Sequence, residues 1–361
     1  MKHVDEYRDS GLAARLVEGI RRGADRPLKF MEVCGSHTVA IFRNGIRDLL
    51  PGNISLISGP GCPVCVTSVE DIDKAVFAAR MDGVILATFG DMVRVPGSRE
   101  SLQEARSDWA DVRVVYSPFD ALKLAQSNPS QKVVFFAAGF ETTSPAVAAT
   151  LGRAIEANTG NFLVLSVHKT IPGAMRALLD TPELGLDGFL CPGHVSTITG
   201  VAPYRFIAEE YGRAAVVSGF EPMDILQSTL MLINQVREGR PSVEIQYRRA
   251  VSEEGNPVAR EVLERYFEPS DADWRGIGVI PGSGLKLKAG YAAYDAEKAL
   301  DIKTNKPREV KGCICGFVLR GLKTPPQCAL FGKACTPETP VGACMVSFEG
   351  SCAAYYKYGA R

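Results

Sequence analysis

Residues 132–156 read KVVFFAAGFETTSPAVAATLGRAIE. An apolar run, a short polar turn containing glycine and an alanine-rich stretch follow one another, which is the pattern of a strand, a loop and a helix. The same plan recurs in LKFMEVCGSHTVAIFRNGI (28–46), GVILATFGDMVRVPGS (83–98), NFLVLSVHKTIPGAMRALLD (161–180), DGFLCPGHVSTITG (187–200) and RAAVVSGFEPMDILQSTLMLINQV (213–236). Near-continuous apolar strands alternating with helices imply parallel sheets covered on both faces. The predicted fold class is α/β, with two parallel-sheet α/β domains flanking a cleft and a small Cys-rich domain. The expected segments are 27–126, 127–250 and 251–361, with an N-terminal helix over 1–26 packed on the last. Residues 251–278 read as a polar helix followed by a loop.

The chain has 361 residues, too many for one ordinary core. Acidic and basic residues balance at 41 each, so no basic field invites nucleic acid. No stretch of about 18 apolar residues exists to span a membrane. The opening MKHVDEYRDSGLAARLVEGIRRG is a mixed-charge amphipathic helix without a signal-peptide core. The expected location is the cytoplasm. Ten cysteines in a reducing compartment point to metal binding or redox chemistry rather than structural disulfides.

In open parallel sheets, ligands bind at the carboxyl ends of the strands. The turns CGSHT, GPGCPVC, TFGD, GFETTSP, SVHKT, CPGHVST and SGFEP all fall there. Three of the four histidines, His37, His168 and His194, lie in these turns. A lone histidine would be read as structural; three in equivalent places suggest a working cleft. His194 and Glu141 are expected to line that cleft or a partner surface, and Cys191 is read as structural. GFETTSP is also a candidate anion site at a helix N-terminus. No phosphate-binding glycine motif accompanies it, so no nucleotide is expected.

Cys34 precedes a predicted helix, whose N-terminus favours thiolate, and His37 follows three residues on. Such a thiolate is a nucleophile or a metal ligand. Cys62 and Cys65 stand in GPGCPVC (59–65) like the CxxC of thiol oxidoreductases. With no second CxxC nearby, a self-contained zinc site is disfavoured. A reversible disulfide and a metal shared with Cys34 both remain open.

The last six cysteines fall within residues 313–352, where glycine and proline fill most gaps. So little apolar material needs an inorganic cluster, or a structural zinc, to stabilise it. Irregular spacing favours an iron–sulfur cube over paired zinc knuckles. Four thiols suffice for a cube. If Cys313, Cys328, Cys335 and Cys344 are its ligands, Cys315 and Cys352 are left as a dithiol/disulfide pair beside it. That allocation resembles ferredoxin:thioredoxin reductase.

EVCGSHT, GPGCPVCVT, TFGDMVRVPGS, GFETTSP, CPGHVSTITG, SGFEPMDIL, VIPGSGL and FGKACTPETPVGACMVSFEGSCAAYY together resemble the HypD family of hydrogenase maturation factors. The resemblance implies a scaffold for assembling the Fe(CN)2CO unit of [NiFe]-hydrogenases. It implies a HypC-type chaperone as partner and a HypE-type cyanide donor acting with its carbamoyltransferase. It further implies that Cys34 binds the Fe(II), that His37 supports it, and that Cys62 and Cys65 form a thiol pair in the same cleft. The [4Fe-4S] cluster would sit on Cys313, Cys328, Cys335 and Cys344, with Cys315 and Cys352 as the redox pair. The competing expectations are a stand-alone iron–sulfur thiol–disulfide oxidoreductase and an interaction protein with a structural metal.

Overall fold

The computed structural model describes residues 10–359. Eleven strands run in chain order: β1 (Leu28–Glu32), β2 (Ile54–Ser58), β3 (Val84–Thr88), β4 (Val112–Val114), β5 (Lys132–Ala137), β6 (Phe162–Ser166), β7 (Gly188–Pro192), β8 (Ala214–Ser218), β9 (Val243–Ile245), β10 (Phe267–Trp274) and β11 (Gly278–Leu287). The β-branched and aromatic runs form them because both faces are covered. Every residue of β3, β7 and β8 is buried.

Two parallel sheets result, in the orders β2-β1-β7-β8-β9 and β4-β3-β5-β6. The α/β expectation with two parallel sheets stands. On the first sheet, alternate residues of β1 serve opposite cores. Phe30 packs with Ile20, Ile41, Val216 and Ile233 on one face, while Met31 joins Phe189, Val217 and Cys191 on the other. Each fully buried side chain of this size contributes roughly 1.5–3 kcal/mol.

The sheets do not follow the expected segments. The four-stranded sheet takes β3 and β4 from before residue 127 and β5 and β6 from after it. It is an insertion between β2 and β7 of the five-stranded sheet. Strand pairing across such an interval is not visible in local hydrophobic pattern. The helix Ser10–Gly23, the described part of the expected N-terminal helix, packs on helix Pro222–Glu238 rather than on the C-terminal segment. Residues 1–9 of that expectation lie outside the described residues.

The stretch read as helix then loop is a helix, Pro257–Tyr266, followed by the antiparallel hairpin β10–β11. Asp and Pro in FEPSDADW concealed the strand, which is buried only at Phe267 and Trp274. The hairpin spans between the two units. Midway along β11 Thr170 N donates to Ser283 O, and near the tip Trp274 bridges Thr67.

Each parallel sheet has one place where chain order reverses, and crevices form there at the strands' carboxyl ends. In the five-stranded sheet that place lies between β1 and β7. The residues just past those strand ends are Cys34 and His194.

Candidate functional site

Cys34 is the N-cap of helix Gly35–Arg43, and His194 lies in the first turn of helix Gly193–Thr199. Their parallel strands are hydrogen-bonded neighbours, which brings Cys34 Sγ to 3.6 Å from His194 Nδ1. The imidazole facing the thiol is thus His194. The ring of His37 turns instead toward the end of β8. Its Nε2 lies 3.2 Å from Ser218 O and 2.9 Å from Gly219 O. Two carbonyl partners require Nε2 to carry the hydrogen, which leaves Nδ1 an acceptor, buried and without a partner. Phe220 stands against both rings, with centroids 4.9 Å from His37 and 5.4 Å from His194. Burial lowers both imidazoles to about 4, so both are neutral at physiological pH.

The expectation of a helix-stabilised Cys34 thiolate is corrected. Burial drives the thiol well above its ordinary range, and the charges of Glu349 and Glu32 push the same way. The backbone N–H of His37 opposes this as the helix N-terminus should, but desolvation is the larger effect. Cys34 is a buried, neutral thiol.

Cys62 and Cys65 are disulfide-bonded, with Cα atoms 5.2 Å apart. In this form neither sulfur offers a thiolate to a metal, so of the two open readings the structure carries the disulfide. Cys62 caps helix Pro63–Val66, its sulfur accepting from Cys65 N at 3.2 Å. The glycines ahead of the pair permit contact with the Cys34 backbone. Gly35 N donates to Gly61 O at 2.9 Å, and a Cβ on Gly61 would stand 2.0 Å from Cys34 N. The two early cysteine loops therefore lie one on the other.

All six late cysteines line a single cavity, together with the apolar side chains of Ile314, Val318, Leu330, Phe331 and Met345. Cys313, Cys315, Cys344 and Cys352 form a continuous row of free thiols, Cys315 neighbouring Cys313 and Cys344, and Cys344 neighbouring Cys352. Hydrogen bonds from Cys313 and Cys344, with the charge of Arg275, hold the Cys315 thiol below its usual range. Cys335 Sγ accepts from Val341 N, and Cys328 lies near Gly312 O. Thiols crowded on an apolar cavity fit an iron–sulfur cluster by donor chemistry. The row does not by itself divide four ligands from two redox thiols. Among the described residues, no three His, Cys, Asp or Glu side chains form a group that could hold a single metal ion.

The late cysteines pack against the early ones. Helix Ala343–Val346 lies on helix Pro63–Val66, and helix Ser351–Tyr358 on helix Gly35–Arg43. Ser36 Oγ donates to Glu349 Oε1 at 2.6 Å, fastening the FEGSC loop to the CGSHT loop.

Glu141 does not face a cleft or surface. It is buried, and its Oε1 accepts from Ile171 N at 2.9 Å, at the start of helix Ile171–Leu179. Burial raises it to about 7, and its Oε2 has no partner. His168 is also buried, with Nδ1 3.0 Å from Ser166 Oγ, and lies in another turn than the Cys34 pocket. Cys191 is a core residue of β7, as expected. Glu32 was missed. It is buried at the end of β1, accepts from Thr38 Oγ1 at 2.7 Å and from Cys34 N at 3.4 Å, and is raised by burial to about 7. An acid inside the apolar run LKFMEV was the available signal.

Fold and site together define an α/β protein with a buried thiol–imidazole pair, a neighbouring CxxC disulfide and a cysteine-lined cavity packed beside both. Residues 11–359 match the HypD model, described as the hydrogenase formation hypA family. The chain is 49% identical to hydrogenase maturation factor HypD2 of Bradyrhizobium diazoefficiens, over 99% of this chain and 97% of that one. It is 50% identical to hydrogenase expression/formation protein HupD of Azotobacter chroococcum, with the same coverage. To HypD of Escherichia coli K12 it is 47% identical, over 99% of this chain and 98% of that one. The chain belongs to the HypD family, and its role lies in hydrogenase maturation. Among the described residues no helix is long and apolar enough to cross a membrane.

Proposed function

We propose that this chain is a redox-active scaffold, working in the cytoplasm, on which the Fe(CN)2CO unit of [NiFe]-hydrogenase is assembled. The Fe(II) is cargo, held at Cys34 with His194 as its second donor. The observation that carries this reading is the 3.6 Å approach of Cys34 Sγ to His194 Nδ1 at the switch point of the sheet. A thiolate and a neutral imidazole suit Fe(II), and a strong-field cyanide–carbonyl iron favours soft sulfur. The partners are a HypC-type chaperone, which shares the iron, and a HypE-type donor with its carbamoyltransferase, which delivers cyanide.

A [4Fe-4S] cluster held by Cys313, Cys328, Cys335 and Cys344 suits the cysteine-lined cavity, in a domain of the ferredoxin:thioredoxin reductase kind. Bound there, it supplies single electrons. In this reading Cys315 and Cys352, on the wall of the same cavity, are the dithiol pair, and Cys62–Cys65 lies between the cavity and Cys34. A disulfide in that position stores two electrons next to the iron.

Infrared spectroscopy of the protein purified anaerobically with its partners tests this. Cyanide and carbonyl bands are expected, and Cys34→Ala should abolish them. Bands of full intensity in that variant would sink the assignment. Their absence from the wild-type complex, with the reduced Cys62/Cys65 dithiol still reducing partner disulfides, would favour the alternative of an iron–sulfur thiol–disulfide oxidoreductase.

A further inference from the structure

VIPGSGL and the residues just before it belong to the β10–β11 hairpin, whose tip carries Arg275. This side chain is 2% exposed. Its Nε donates to Thr67 O at 2.8 Å and its NH2 group to Pro96 O at 2.9 Å, while its backbone N donates to Val66 O at 2.9 Å. Val66 and Thr67 directly follow Cys65. Among the described residues no carboxylate lies within ion-pair distance of the guanidinium. Asp273 and Glu309 sense its charge, but burial raises both above the usual carboxylate range. A buried cation bonded only to neutral carbonyls is costly, and its field reaches far in a poorly polarisable interior.

The other side of the tip meets the late cysteines. Gly276, at φ +67°, and Gly316 touch backbone to backbone. A Cβ on Gly276 would stand 2.4 Å from Gly316 Cα, and one on Gly316 would stand 2.5 Å from Gly276 O. Cys315 is the residue before Gly316. The tip is therefore a wedge with the disulfide-bearing helix on one side and Cys315 on the other.

We propose that Arg275 is a positioning residue for the Cys62–Cys65 pair, fixing its helix against Cys315 and biasing the pair toward the dithiol. This rests on the reading above that the pair is redox-active. In the step concerned, a dithiol gives up two electrons and two protons and closes its own S–S bond. The Cys62–Cys65 bond breaks, and each sulfur takes one proton. A cation anchored on the carbonyl of Thr67, two residues beyond Cys65, favours the thiolates through which the open form passes and equilibrates.

The test is the thiol–disulfide midpoint of Cys62–Cys65 in the full chain, set by dithiothreitol buffers, trapped by acid and read by alkylation and mass spectrometry. Arg275→Gln should favour the disulfide by about tenfold, about 30 mV. Arg275→Lys keeps the charge and should shift it by less than half as much on the millivolt scale. An unchanged midpoint in folded Arg275→Gln overturns the proposal. If that variant does not fold, Gly276→Ala is compared with Gly282→Ala. Gly282 lies in the same hairpin at φ +64°, but nothing lies near its added Cβ. A shift toward disulfide in the first alone supports the proposal; a shift in both or neither overturns it. The functional reading fails separately, if Cys62→Ser/Cys65→Ser still supports full hydrogenase maturation.

Discussion

Cys34 and His194 approach to 3.6 Å because β1 and β7, far apart in sequence, are adjacent parallel strands whose following helices start at the same edge. A thiol and an imidazole so placed make a two-donor site. His194→Ala is expected to lower the iron retained beyond that of the proposed cluster by at least tenfold, with the fold intact. Metal analysis of anaerobically purified protein checks this, and wild-type iron content in the variant would remove His194 from the site.

His37 should behave differently. Its Nε2–H serves the carbonyls of Ser218 and Gly219, buried at the end of β8 and just past it. His37→Ala leaves them without this donor and should cost about 1–3 kcal/mol. Urea denaturation measures it. A loss below about 0.5 kcal/mol would mean that the ring's bonds are dispensable to the fold.

Gly61 admits no side chain. A methyl there would meet Val33 and Cys34 backbone atoms at 2.0–2.3 Å. Gly61→Ala should therefore push the CPVC loop off the Cys34 loop, costing about 1–3 kcal/mol in stability and abolishing the iron bands. Unaltered spectra would show that the two loops need not touch.

The Cys62–Cys65 disulfide closes a very short loop, so its effect on the unfolded chain is small. Loop-closure entropy gives about 2 kcal/mol at most. Cys62→Ser/Cys65→Ser should thus remain folded while losing ligand transfer. Calorimetry together with a maturation assay separates the two effects. A loss of stability well above that figure would make the pair structural.

Glu141 gives a pH signature. Its folded pKa is raised to about 7 from an ordinary value near 4.5. The fold therefore favours the protonated acid. Stability from this preference is complete below about pH 4.5 and is lost as pH rises through 7. Glu141→Gln mimics the neutral acid, so it should be more stable than wild type at pH 8, on the order of 3 kcal/mol, and level with it below pH 4.5. Equal stability at all pH values would contradict the burial effect.

The strand–loop–helix alternation was legible because parallel strands buried on both faces are apolar runs, as in KVVFFA and AAVVS. The gathering of Cys34, Cys62, Cys65 and His194 in strand-end loops was legible for the same reason. Which strand lies beside which was not. Phe30 pairs with Gly188 through a contact that leaves no local trace. That hidden adjacency also explains why His37, near in sequence, was expected where His194 stands. The thiolate expectation at Cys34 weighed the helix N-terminus without the desolvation, and burial depends on everything packed around it. FEPSDADW hid its strand because its polar residues face outward while Phe267 and Trp274 alone are fully buried.

The insertion of one sheet within the other has a consequence for synthesis. Emerging from the ribosome, β1 and β2 can pair at once, but β1's other edge must wait until β7 has been translated. In that interval the four-stranded sheet is complete and free to fold, while Cys34, Cys62 and Cys65 lack the strand that covers them. Long-range closure of this kind is slow and leaves unpaired edges open. Nascent chains are therefore most exposed to oxidation and mispairing before roughly residue 195 has left the exit tunnel.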